Sequence, residues 1–399
     1  MGKLYSAATA IFLGTSILGN IAMFQSAQAV TVSAAVGKSM QEAMSLLAAG
    51  KYREAMTHAD AAANSAKTPA EIQAVKQLKD AIAIKSGDAS IGGALGAKAK
   101  FANDYNAGRW RDVIAGGEAL RKTGAMDAQS NIVVAQAYYQ LHDTKGCMAY
   151  IRSNRMGGES ALALLQRCAY DANDDVAQRE ALEQLVASTG KPEHWKNLLR
   201  LSERAKGMKD QNTLDIYRLK LMTGNLTTAD DVMIYAQLAL QMKSSAEAKA
   251  LIEKSIANNT LPAGDRTNRM LKMATDRANE SAANFGKNLA DAQKQPQGDA
   301  LVALGEDQIG QGKAKDAIAT IQAGLAKNPK DAAGAQLRLG SAYLAAGQKA
   351  DAVKEFSAVK GDEKAMLVAH LYTLAARSDV STPKADKADA PAKSGKKRK

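Results

Sequence analysis

Two short motifs contain the serine and lysine residues that are the first candidates for catalysis. Ser188-Thr189-Gly190-Lys191 has the S-x-x-K spacing in which a lysine can activate a serine nucleophile, and Lys122-Thr123-Gly124 matches the K-T-G motif that accompanies it in acyl-transfer enzymes. In those enzymes S-x-x-K comes first and an S-D-N motif follows, whereas here the order is reversed and S-D-N is absent. Both segments contain a glycine of the kind that ends helices. The sequence therefore predicts two helix ends and no catalytic serine.

Phosphate-binding and metal-binding patterns are incomplete as well. The segment 305–313 ends in the Gly-Lys pair of a phosphate-binding loop, but Asp307 and Ala314 stand where that motif needs its first glycine and a hydroxyl residue. No H-E-x-x-H motif exists, and no two histidines have the i, i+4 spacing of a helical metal site. The four histidines are His58, His142, His194 and His370. We therefore predict no enzymatic activity, no metal site and no cofactor.

The composition favours helices throughout the chain. Its 399 residues include 31 Gly but only seven Pro, and aromatic residues make up 5%. A β-sandwich or barrel needs more β-branched and aromatic residues, and a disulfide-stapled small fold needs more than two cysteines. The length allows two or three domains or one long repeat array.

One sequence pattern occurs twice between Leu301 and Lys364, with a spacing of 35 residues. The equivalent positions are Gly305 and Gly340, Gly312 and Gly347, Ala317 and Ala352, and Ile321 and Phe356. Small residues at the first and third positions would let paired helices approach closely, while the larger residue at the fourth would fill the space between neighbouring repeats.

Two helices joined by a tight glycine turn, recurring at this period, resemble the tetratricopeptide repeat (TPR). Further turns of this kind occur at Gly50-Lys51-Tyr52 and Gly108-Arg109-Trp110, and copies without the turn glycine occur around 135–147 and 235–262. The resemblance implies an all-α fold, a right-handed α-solenoid of TPR-like helical hairpins. In TPR arrays the first helix of each repeat lines a concave groove.

The N-terminus has the layout of a secretory signal peptide. Lys3 is followed by an uncharged apolar run from Ala7 to Phe24, and Ala27-Gln28-Ala29 forms a small-x-small cleavage site. A retained membrane anchor is the alternative, but the run is at the short end for a spanning helix. We expect cleavage after Ala29, a periplasmic protein, and no integral membrane segment in the mature chain.

The two cysteines lie at equal distances in sequence from Met156-Gly157-Gly158, which predicts a turn between two antiparallel helices. Residues equidistant from such a turn lie at the same height on the paired helices, and export would place them in an oxidising compartment. We therefore predict a disulfide between Cys147 and Cys168. Two buried thiols packed as small hydrophobic residues are the alternative.

Composition divides the chain into four parts. Residues 1–29 are the signal peptide, 30–294 an N-terminal TPR-like helical repeat region, 295–377 the C-terminal TPR repeats with a capping helix, and 378–399 a disordered basic tail. A single continuous superhelix through residue 295 is the alternative to two subdomains. The tail has seven basic and three acidic residues, so it contributes +4 to the net charge of +12.

The concave face implied by the TPR resemblance is the candidate binding surface. Its glutamines and tyrosines would suit a polypeptide, because amide groups pair with a backbone and rings cover apolar side chains. An ordinary solvated face is the alternative. The residues on this face are Lys98, Tyr105, Gln136, Tyr139, Gln140, Gln237, Gln241, Glu306 and Arg338.

Together these features predict a non-catalytic periplasmic TPR scaffold that binds a protein or peptide partner in cell-envelope assembly or secretion. The alternative is binding of an anionic envelope polymer or membrane surface through the basic tail and body. The export signal argues against nucleic acid as a partner.

Overall fold

A computed structural model describes residues 32–378, and every regular element among these residues is an α-helix. The predicted signal peptide, 1–29, lies outside the described residues, as does the predicted tail beyond residue 378. Between residues 32 and 378, no helix combines the length and the hydropathy that a membrane-spanning helix requires.

The described residues divide into two compact units, 32–147 and 148–378, with the division inside helix α7 (Thr144–Ser153). In the first unit each helix packs against the next one along the chain, and alanines such as Ala43, Ala55 and Ala59 form much of the core. The other helices of this unit are α1 (Ala34–Ala48), α2 (Tyr52–Ser65), α3 (Pro69–Ser86), α4 (Ala89–Asn106), α5 (Trp110–Lys122) and α6 (Ala128–Gln140).

The second unit contains the remaining helices. They are α8 (Glu159–Asp171), α9 (Asp175–Thr189), α10 (Pro192–Glu203), α11 (Asp210–Met222), α12 (Ala229–Gln241), α13 (Ser245–Ala257), α14 (Asp265–Lys294), α15 (Asp299–Gly310), α16 (Ala314–Leu325), α17 (Ala332–Ala345), α18 (Lys349–Ser357) and α19 (Glu363–Arg377). The subdomain boundary expected near residue 295 falls inside this unit, because α13 packs directly against α15.

Seven helical hairpins share one turn geometry. A residue with left-handed backbone follows the first helix, and the second helix begins two residues later. The N–H of the residue between them donates to the carbonyl five positions earlier, at 2.8–3.0 Å. The left-handed residues are Gly50, Gly108, His142, Asn173, Lys243, Gly312 and Gly347. The prediction of an all-α fold of repeated helical hairpins is confirmed, and hairpins that lack the glycine keep the same turn.

Close packing at the two repeat glycines is confirmed. A Cβ atom added to Gly340 would lie 2.5 Å from Cδ1 of Phe356, and one added to Gly305 would overlap Ile321. Ala317 and Ala352 are fully buried on the facing helices. The bulky residue of the second helix therefore fills the space that the glycine of the first leaves open.

A single long helix, α14, replaces one hairpin in the array. The turn residues Lys243 and Gly312 are 69 residues apart, about two repeat periods, and α14 runs for 30 residues in that interval without a turn. Only Thr267, Ala274 and Ala292 are buried in it, in agreement with its polar composition.

The last helix, α19, packs against α17 and α18, as expected of a capping helix, and also against α11 and α9. Lys209 and Asp362 form an ion pair at 2.9 Å between the segments that precede α11 and α19. The packing order α11, α12, α13, α15, α17, α19 thus returns to α11, so the second unit closes on itself.

The carboxylate of Glu71 holds the start of the first unit. It accepts hydrogen bonds from the backbone N–H of Ser33 at 2.8 Å, and from those of Lys67 and Thr68 at 3.0 Å each. These bonds, with that of Ser33 contributing most, hold the pKa of Glu71 far below its usual value of 4.5.

Replacement by alanine should change the stability of the second unit in opposite directions at two helical glycines. Gly340→Ala should destabilise the second unit by about 1–3 kcal/mol, because Phe356 must move. Gly286→Ala in α14 should stabilise it by about 0.5–1 kcal/mol, because a Cβ there meets open space and alanine favours the helix. Equilibrium urea unfolding measures both, and equal effects of the two substitutions would contradict this packing.

The Glu71 carboxylate makes the first unit sensitive to acid. Because its pKa is lower in the folded than in the unfolded chain, its stabilisation is full above about pH 4.5 and is lost as the pH falls below that value. Glu71→Gln should therefore lower the urea midpoint at pH 7 and differ less from the unchanged protein at pH 3. Glu54→Gln, which alters an exposed pair with Lys51, is the control and should match the unchanged protein at both pH values.

Candidate functional site

Helix α11 carries two charged side chains among buried apolar residues. Asp215 and Arg218 lie among Leu214, Ile216 and Leu219, all of which are fully buried. Asp215 is itself 0% exposed, and the side chain of Arg218 is 15% exposed. Charges in such a position need partners, because an unpaired ion inside a protein is strongly destabilising.

Three other helices of the second unit supply those partners. The Nη1 atom of Arg338 on α17 lies 2.8 Å from Oδ1 of Asp215, and Nη2 donates to Oδ2. Arg218 donates through Nε and Nη2 to Glu247 on α13, at 2.8 and 2.7 Å. Glu306 on α15 accepts from Nη1 of both arginines, at 2.8 and 3.0 Å. We call these five residues the ion cluster.

The ion cluster has three carboxylates and two guanidinium groups. Burial opposes the charge on Glu306, but the charges of Arg338 and Arg218 outweigh it and lower the pKa of that carboxyl. Burial likewise disfavours the charge on Arg218, yet Glu247, Glu306 and Asp215 raise its pKa well above the usual value. Both arginines therefore stay charged, and their attraction for anions is already met inside the protein.

A groove of about 870 Å³ opens above the ion cluster. Arg218, Glu247 and Arg338 form part of its floor, and helices α11, α12, α13, α15, α17 and α19 all contribute to its lining. Its walls are mainly apolar, and the larger side chains among them are Leu221, Met222, Leu226, Leu251, Ile309 and Leu344. Volume and lining fall in the range of ligand sites in proteins.

Two buried tyrosines face this groove and differ in their hydrogen bonds. Tyr235 and Tyr372 are each 3% exposed. The Tyr235 hydroxyl donates to Oε1 of Glu247 at 2.7 Å. The Tyr372 ring stacks on Phe356 with centroids 5.1 Å apart, but its hydroxyl has no hydrogen-bond partner within residues 32–378. Burial raises the pKa of Tyr372, so the hydroxyl remains protonated.

The candidate residues in the first unit lie on two helices. Lys98 and Tyr105 are on α4, and Gln136, Tyr139 and Gln140 are on α6. Lys98 approaches Asp127, which caps α6, at 3.8 Å, and Tyr105 packs edge-on against Trp110. Gln140 is exposed, whereas Tyr105, Gln136 and Tyr139 are half-buried.

The candidates in the second unit separate into two kinds. Gln237 and Gln241 are exposed on α12, and Gln241 donates to Asp210 at 2.6 Å. We expected Glu306 and Arg338 on an exposed face, but their side chains are only 12% and 3% exposed. Both belong to the ion cluster. The closure of the second unit explains this correction, because the closed ring of helices places Glu306 on α15 and Arg338 on α17 within hydrogen-bond reach of α11.

Cys147 and Cys168 are both fully buried, and neither is a free thiol. Their pairing with each other stays a prediction. Among the described residues no group of His, Cys, Asp and Glu is arranged to hold a metal ion.

The two segments that resemble catalytic motifs are helix ends, as the sequence predicted. Gly190 ends α9 with left-handed backbone, and the hydroxyls of Ser188 and Thr189 donate to the Leu185 carbonyl. Gly124 has the same conformation after α5, where the Thr123 hydroxyl donates to the Ala119 carbonyl. All three hydroxyls bond to carbonyls of their own helices.

Sequence reasoning missed Asp215, Arg218, Glu247 and Tyr372. One signal was present: an Asp and an Arg with i, i+3 spacing, each flanked by large apolar residues on both sides, indicate a buried ion pair. The partners of that pair were not predictable, because Arg338 is 123 residues away from Asp215 in sequence.

Comparisons with known proteins give no family assignment. No protein-family model matches the sequence, and no curated protein matches it. A solved structure, the APC/C hetero-tetramer Cut9-Hcn1, aligns with 10% sequence identity over 90% of this chain and 69% of that chain, with a TM-score of 0.21. A score this low supports no conclusion about the fold.

The ion cluster predicts a large stability effect from one residue. Arg338→Met should destabilise the second unit by about 3–5 kcal/mol, because it leaves Asp215 buried without its main partner. Lys272→Met removes an exposed pair with Asp276 and should leave the urea midpoint almost unchanged. A similar midpoint for both variants would show that the buried pair contributes no more than a surface pair.

Proposed function

We propose that this chain is a non-catalytic periplasmic scaffold that binds a protein partner of cell-envelope assembly or secretion. The second unit would receive an apolar polypeptide segment of that partner in its groove. The observation that carries the proposal is the groove itself, with apolar walls above a floor of mutually compensated charges.

The lining of the groove favours binding over catalysis. Asp215, Arg218 and Glu306 bond to one another and hold neighbouring helices together. General acid and base catalysis needs a titratable group within reach of a substrate, whereas these groups are committed to internal ion pairs. What remains accessible to a ligand is mainly aliphatic wall.

A polypeptide fits this groove better than an anionic polymer does. The ion cluster carries one more negative than positive charge, so it offers no free positive charge to a phosphate or carboxylate group. The alternative, binding of an anionic surface, would depend on the basic residues outside the groove, above all those of the segment 379–399.

The export expected from the sequence favours a partner in the cell envelope. The signal-peptide layout of residues 1–29 underlies this part of the proposal, and the first described helix begins at Ala34, soon after the expected cleavage site. N-terminal sequencing of protein recovered from the periplasmic fraction should begin at Val30. A first residue of Met1 would contradict cleavage.

Selection from a phage-displayed library of random 12-residue peptides on the immobilised full chain tests the groove. We expect enrichment of sequences rich in large apolar residues, and the enriched peptides, once synthesised, define the affinity by fluorescence anisotropy. Ala345→Trp, at an exposed position of the groove lining, should weaken their binding at least about tenfold, since an indole would occupy the space of an apolar anchor.

Ala283→Trp is the matched control, because Ala283 is also an exposed helical alanine but lies on α14 outside the groove lining. This variant should bind the selected peptides like the unchanged protein. Deletion of residues 379–399 should also leave binding unchanged at high and low salt. Loss of binding on that deletion would instead favour the anionic-surface alternative, and equal binding by Ala345→Trp would exclude the groove as the site.

A further inference from the structure

The unpartnered hydroxyl of Tyr372 indicates how the groove recognises its ligand. This hydroxyl bonds to no described residue, yet its oxygen is not among the fully buried unpaired atoms of the described chain, so it reaches the open groove. A ligand or water there can complete its hydrogen bonding. Tyr372 is 3% exposed, and stacking on Phe356 fixes its ring at the groove.

The rest of the groove narrows the chemistry of that ligand. The arginines at the floor are already paired, and burial keeps the Tyr372 hydroxyl uncharged. A ligand that carries a phosphate or carboxylate would therefore meet no free cation on the floor. The walls around Leu251, Ile309 and Leu344 suit aliphatic or aromatic side chains.

Together these features point to one arrangement. The geometry assigns Tyr372 as a specificity-determining contact that hydrogen-bonds an uncharged main-chain group of an extended apolar peptide segment. A helical peptide could not make that hydrogen bond over most of its length, because its main-chain N–H and C=O groups already bond to one another. An extended segment leaves a carbonyl free at each residue, between apolar side chains that fill the walls.

The segment 379–399 of this chain does not meet that description. It follows α19, which carries Tyr372. After Val380, alanine and proline are its largest apolar residues. We assign the occupant as a segment of another protein. This inference rests on the proposed function, since it concerns the peptide bound in the same groove.

Two conservative substitutions in the groove separate recognition from structure. Tyr372→Phe removes a hydroxyl that bonds to no described residue, so the urea midpoint should stay the same or rise, while affinity for the selected peptide should fall about 2- to 10-fold. Tyr235→Phe removes a hydroxyl bonded to Glu247, so its urea midpoint should fall. A lower midpoint for Tyr372→Phe, or unchanged peptide affinity, would overturn the inference.

The peptide itself supplies a second test. Esters replace the amides one at a time along the selected peptide, which weakens each carbonyl acceptor and removes each N–H donor. With the unchanged protein, the ester at one position should lower the peptide affinity more than esters at the other positions do. With Tyr372→Phe that additional loss of affinity should disappear. An additional loss that persists with Tyr372→Phe would show that another residue makes the contact.

Failure of this inference is distinct from failure of the proposed function. If Ala345→Trp abolishes binding while Tyr372→Phe binds normally, the groove binds peptides without this hydrogen bond, and only the inference is lost. If the selected peptides bind all variants equally, both are lost. A third outcome is that palmitate displaces the peptide and binds the groove with higher affinity than the peptide does. This would also overturn the inference, since the preferred occupant would then be a fatty acid.

Discussion

The pairing of Arg338 with Asp215 is the interaction on which the second unit depends. It joins helices that are 123 residues apart in sequence, and both side chains are nearly inaccessible to water. Either charge alone would be strongly unfavourable there, so the two helices must meet in one arrangement. Glu306 and Glu247 extend the same requirement to α15 and α13, and the groove is the space left above these four helices.

The hairpins of both units are repeats in geometry more than in sequence. The same turn is formed by glycine at Gly312 and Gly347, by asparagine at Asn173, and by histidine and lysine at His142 and Lys243. The backbone bond to the carbonyl five positions earlier is the common element. A left-handed residue other than glycine is somewhat unfavourable, and the packing of the two flanking helices can offset that small cost.

The sequence predicted most of the local structure and little of the site. The helices, the turn glycines, the close approach at Gly340 and the motif-like helix ends follow from residue type and short-range spacing, and those predictions are confirmed. The inward position of Arg338 was not predictable, because an arginine on the first helix of a repeat would face the open groove of an extended array. Whether it faces solvent depends on closure by α19, a contact between residues far apart in the chain.

That closure also changes how the second unit gains its stability. In an open repeat array each repeat contacts only its neighbours, so folding can begin anywhere and the ends can fray independently. Here the final helix contacts both α11 and α9, so long-range contacts add to those between adjacent helices. The part of the chain that precedes α19 cannot complete its packing alone, and long-range closures of this kind make folding slow. The second unit therefore folds to completion only when its last helix has become available.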